Sequence, residues 1–87
     1  MAARDAERLL TNARERGNER WAGFLADLPD RLRDAPIDEL PLVVRRARAA
    51  YGPRDSIREA LPAELTEPFL DDLDRLLRAL AKDALAR

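Results

Sequence analysis

The sequence predicts an all-α fold: a small irregular helical bundle with long N-terminal and C-terminal helices, a middle helix and short helical turns between them. Three observations carry that expectation. The apolar residues, 46% of the chain, are mainly Ala and Leu with four aromatics, and those preferences favour helix over sheet. They recur at steps of three and four, and nothing alternates with period two for long enough to make a strand. Ser, Thr, Asp and Gly-Pro signals sit where the apolar stripes begin and end, as helix caps and stops do.

In the first element, Ala6, Leu9, Leu10 and Ala13 are followed after a gap by Trp21, Phe24, Leu25 and Leu28, which together define one helix face. Gly17 interrupts the aliphatic run. The steps from Ala13 through Gly17 to Trp21 nevertheless keep the face in phase, and a mid-helix glycine costs only about 1 kcal/mol relative to alanine. One helix over residues 3–28 is therefore expected, bent near Gly17 and about 39 Å long at about 1.5 Å per residue. The competing reading breaks at Gly17, with Asn18 as a left-handed C-terminal residue or as the N-cap of a second helix.

Pro29 is expected to end that helix, leaving one or two turns in DRLRDAP before Pro36. Asp38 reads as the N-cap of a helix over residues 39–51, with Pro41 early enough to be tolerated and Leu40, Val43, Val44, Ala47, Ala50 and Tyr51 facing inward. Gly52-Pro53 is a stop signal, a left-handed cap and then a residue that cannot continue a helix. Ser56 and Glu59 match a capping box opening a short turn over 56–61, which Pro62 closes. Thr66 reads as the cap of the last helix, 67–86, with Pro68 in its first turn. In it Leu70, Leu73, Leu77, Leu80 and Ala84 make a coiled-coil type seam. Asp71, Asp72 and Asp74 lie near its positive end, and Arg78, Lys82 and Arg87 near its negative end.

The 87 residues are expected to form one domain, 1–87, of a size that buries about 60 to 65% of its unfolded surface. Stability should be marginal or shared with a partner. Charged residues at 38% are too many for a membrane span, and the apolar content is too high for a disordered chain. There is no cysteine to support a disulfide or thiolate site, and the N-terminus has no apolar run of signal-peptide length. A cytoplasmic location is expected. The Arg-rich, Lys-poor composition, with abundant Ala, Leu, Asp and Pro, suggests a bacterial source with a GC-rich genome. Net charge is -1, but residues 40–58 carry five Arg against one Asp, and residues 59–87 carry four bases against seven acids. These two segments can attract each other within one molecule or between two.

Chemistry is mostly excluded. Without His or Cys, the usual general base, the thiol nucleophile and the commonest zinc ligands are missing. Ser56 and Thr66 have capping roles, and the DDLD of residues 71–74 is explained by the helix dipole. The glycines at 17, 23 and 52 are isolated, so there is no phosphate loop. No enzyme, metal or cofactor is expected.

The stretch VVRRARAAYGPRDSIREAL places Arg45, Arg46, Arg48, Arg54 and Arg58 in a helix, turn and capped-helix outline similar to a helix-turn-helix. Against it, Pro62 cuts the second helix short and base-reading Asn or Gln are missing there. Trp21-Ala22-Gly23 has the form W-x-G and Tyr51 to Asp55 the form Y-x-x-x-D, a pairing that resembles the small helical-hairpin substrates of bacterial type VII secretion. In that family the W-x-G lies in the turn between two long helices. Here it lies in a continuing helical pattern, so the resemblance is set aside.

The leading expectation is a non-enzymatic protein-binding module: a homodimer, or an accessory, adaptor or antitoxin-like subunit. Trp21, Phe24, Leu25 and Leu28 would form a protruding contact surface on the long first helix, since an 87-residue globule has a radius of gyration of only about 12 Å. The structural alternative puts Trp21 in the core. A nucleic-acid-binding regulator built on the five arginines ranks second.

Overall fold

The computed structural model describes residues 1–86, so Arg87, expected near the negative end of the last helix, lies outside the described residues. The chain runs through α1 (Ala2–Glu15), α2 (Glu19–Leu25), α3 (Leu28–Asp34), α4 (Leu40–Arg48, continued by a 3-10 turn Ala49–Tyr51), α5 (Ile57–Ala60) and α6 (Ala63–Ala86). It is an all-α bundle with no strand among the described residues.

The single helix expected over 3–28 is two helices and the start of a third. Gly17 takes φ +69, and the Asn18 and Gly17 N–H groups donate back to the Ala13 and Arg14 carbonyls at 2.8 and 3.1 Å, a Schellman closure of α1. The Asn18 side chain then accepts from the Trp21 N–H at 3.2 Å, capping α2. One Gly-Asn pair therefore satisfies both helix ends. The break lets α2 fold back to pack on α1, which a straight helix cannot do.

Pro29 opens a helix instead of ending one: it sits in the first turn of α3, where its missing N–H is an orphan anyway. Asp38 is not the cap of α4. Glu39 holds that position without a side-chain cap bond, because the Glu39 and Leu40 N–H groups both donate to the Pro36 carbonyl at 2.9 Å. Gly52 is extended, with φ -63 and ψ 171, and the left-handed residue of this loop is Asp55, φ 51. Ser56 caps α5 through the Arg58 N–H at 3.2 Å, one residue earlier than a capping box requires. Thr66 does not cap the last helix. α6 starts at Ala63, directly after Pro62, whose carbonyl receives the Leu65 and Thr66 N–H groups at 3.0 Å. Pro68 consequently lies inside the helix. Thr66 is fully buried, and its carbonyl accepts a hydrogen bond from the Tyr51 hydroxyl.

The core collects the inward stripes of all these elements. Ala6, Leu9 and Ala13 of α1, Val44 and Ala47 of α4, and Phe69 and Leu73 of α6 belong to one core cluster, all with 0% exposure. α1 packs on α2, α3 and α6, and α4 on α3 and α6. The molecule measures 44 × 25 × 19 Å. Its long axis fits α6, whose 24 residues span about 36 Å.

Candidate functional site

The residues expected on a contact surface are mostly inside. Trp21, Leu25 and Leu28 are 7%, 0% and 2% exposed, and Phe24 is half-buried, edge-on to Trp21 with ring centroids 5.5 Å apart. The surface they were to present is the core of the chain itself. The cause is the turn at Gly17, which brings α2 against α1. The W-x-G residues lie within α2, not in a turn between long helices.

The five arginines do not act as one group. Arg48 pairs with Asp74 at 3.1 Å, and Arg58 makes two 2.9 Å bonds to Glu67, whose carboxyl that guanidinium holds below its ordinary range. Both guanidiniums also lie over the Tyr51 ring, at 5.8 and 5.5 Å, and burial pushes its phenol up. The attraction between the basic middle segment and the acidic last segment is thus made within one molecule. Arg45, Arg46 and Arg54 remain exposed. α5, with four residues, is too short to lie along a DNA groove as a recognition helix.

The element that outreaches the globule is α6. Its seam starts in the core at Leu70 and Leu73, becomes half-buried at Leu77 and Leu80, and runs out to exposed Ala84 and Leu85. Beside it lies an open groove of about 460 Å³ between the start of α1, α3, α4 and the middle of α6. Ala2, Leu32, Leu40, Leu76 and Ala79 give it apolar walls, and Arg33, Asp72 and Arg75 lie among them. Arg33 is held by Glu7 and Asp30. Among the described residues four large apolar side chains are exposed, and one of them belongs to the groove. Met1 lines it, Ile37 and Leu42 flank Leu40 in sequence, and Leu85 follows Ala79 on α6.

A carboxyl pair stands at the groove edge. Burial, then the hydrogen bond and charge of Asp72, push the Asp5 carboxyl up to about 6, against the pull of the N-terminal amino group and Arg8. Asp72 is held below its ordinary value, first by that hydrogen bond from Asp5 and then by the amino group of Met1, 3.2 Å away. Of the two acids, Asp5 is therefore the one that favours its protonated form and Asp72 the one that favours its charge.

Sequence reasoning missed the groove, because its walls come from four elements and an apolar groove wall reads like core. A second cleft was missed for the same reason: it brings Trp21 and Phe24 of α2 to Arg54 in the loop after the 3-10 turn. Among the described residues no group of acidic side chains is placed to hold a metal ion, and no helix is long and apolar enough to cross a membrane. No protein family, curated protein or solved structure matches the chain.

Proposed function

We propose that the chain is a non-enzymatic protein-interaction module that works by helix-on-helix packing, with a second copy of itself as the first partner to test. The observation that supports this reading is the apolar groove beside α6, with Met1 in its lining exposed at 91% and Leu85, further along α6, at 88%. A contiguous exposed apolar surface marks a contact site more often than a passive one. The groove also has the form that accepts the apolar face of a helix, and the outer turns of α6 are such a helix. The proposed surface thus moves from Trp21 and Phe24 to the groove between the start of α1, α3, α4 and α6. Roles as an accessory, adaptor or antitoxin-like subunit use the same face against a different protein. Nucleic-acid binding draws less support, since two of the five arginines it needs are paired with Asp74 and Glu67.

The test is the solution mass by light scattering across concentrations and at low and high salt. The 9.8 kDa chain is expected to show a multiple of that mass. Ala79→Arg, an exposed position in the groove wall, should return it to the monomer without loss of helicity. A wild type that stays monomeric at every concentration removes self-association.

A further inference from the structure

The second cleft, about 400 Å³, shares no lining residue with the groove and has a different chemistry. Its apolar walls are Trp21, Phe24, Ala49 and Ala50, and its polar groups are Arg20, Arg54 and Asp55. The Arg20 guanidinium lies over the Trp21 ring, 5.1 Å from its centroid, so the ring holds one cation at the cleft. Arg54 also lines the cleft, in a loop that turns at left-handed Asp55, a conformation Asp tolerates better than most residues. Arg31, Arg33, Arg48 and Arg58 all pair with acids. Among the described residues, Arg20 and Arg54 have no such ion pair.

We propose that this cleft binds a small amphipathic monocarboxylate, with a ring or branched apolar body against Trp21 and Phe24 and its carboxylate between Arg20 and Arg54. Three features of the site support that class. Guanidinium forks match the planar carboxylate. Phe24, half-buried and edge-on to Trp21, leaves ring surface for an apolar group, and the small side chains of Ala49 and Ala50 leave the room for it. Two cations and the Asp55 carboxylate leave a single net positive charge, which suits one carboxylate and disfavours a phosphate dianion. A volume of this order falls within the range of small-molecule sites. This inference goes beyond protein binding at the α6 groove and stands or falls separately from it.

The chain has one tryptophan, so its emission reports occupancy. The experiment titrates the folded protein with 3-phenylpropionate, and in parallel with 3-phenylpropanamide and phenethylamine. The acid is expected to give a saturable change in Trp21 emission, with the amide at least about ten-fold weaker, equivalent to one lost charge-assisted contact, and the amine inactive. Arg54→Ala, in an exposed loop, should weaken the acid by a similar factor at unchanged melting temperature, and Arg54→Lys should restore part of it. No saturable response to the acid, an equal response to the amide, or undiminished affinity in Arg54→Ala each overturns the proposal. The mass measurement on the Ala79→Arg variant is unaffected by any of these outcomes.

Discussion

Trp21 shows how a single residue changes meaning with its surroundings. At 7% exposure, edge-on to Phe24 and roofed by Arg20, its removal leaves a cavity. Trp21→Ala is expected to cost about 3 to 5 kcal/mol, a large part of the stability of so small a domain, and urea unfolding followed by circular dichroism will measure it. A contact residue on a free surface would leave the midpoint almost unmoved. Asp5 gives a second prediction at this scale. Its carboxyl value is raised from 3.8 to about 6, so folding favours the protonated form. That contribution is complete below 3.8 and is lost as pH rises through about 6. Asp72, held low, acts in the opposite sense: its contribution is present above its ordinary value and lost as pH falls through the lowered one. Asp5→Asn keeps a donor for Asp72 and removes the ionisation. Its melting temperature should therefore gain on the wild type as pH rises from about 4 to about 7, and an unchanged difference would show that folding does not raise the Asp5 carboxyl.

At the scale of elements, the turn at Gly17 decides the arrangement of the first half. A Cβ placed on Gly17 meets nothing within 4 Å, so the strain of a side chain there comes from φ +69 alone. Gly17→Ala is expected to cost about 1 to 2 kcal/mol, and Gly17→Asn less, because Asn accepts the left-handed region. Thermal melts of the two variants check the order. An equal or higher melting temperature for the alanine form would favour the continuous helix over 3–28. Sequence reasoning weighed both outcomes and chose the wrong one, since the apolar phase from Ala13 to Trp21 runs through the break as smoothly as through a helix. The cap positions of α4 and α6 were misread for a related reason. Asp38 and Thr66 have the right chemistry for caps, but the carbonyls of Pro36 and Pro62 already receive the first N–H groups. The Ser56 cap and the early Pro41 were legible, because both depend on neighbours in sequence.

Over the whole molecule, α6 joins the core to the surface proposed for binding. Leu73, fully buried, and Leu85, 88% exposed, belong to one helix and should separate the two roles. Leu73→Ala is expected to lose about 2 to 5 kcal/mol, whereas Leu85→Ala should leave the monomer within about 0.5 kcal/mol. Denaturation at low protein concentration compares them, and a large loss at Leu85 would mean that the outer turns of α6 belong to the folding unit. The charges divide similarly at this scale. The basic middle segment and the acidic last segment meet as Arg48–Asp74 and Arg58–Glu67 within the molecule, both at the surface where solvent screens them. Arg45, Arg46 and Arg54 stay exposed, so about half of the positive excess of the middle segment is left at the surface.

The sequence by itself determined the all-α class, the inward stripes of α1, α4 and the first half of α6, and the stops at Gly52-Pro53 and Pro62, because helix propensity, apolar period and local stop signals act over a few residues. Tertiary structure alone decided that the chain turns back at Gly17, that Trp21 is core, and which helix outreaches the globule. It also decided which arginines are paired, and it built both clefts. Those outcomes depend on which stripes face each other, and a stripe of Leu and Ala has the same spacing whether it meets its own chain, a partner or water.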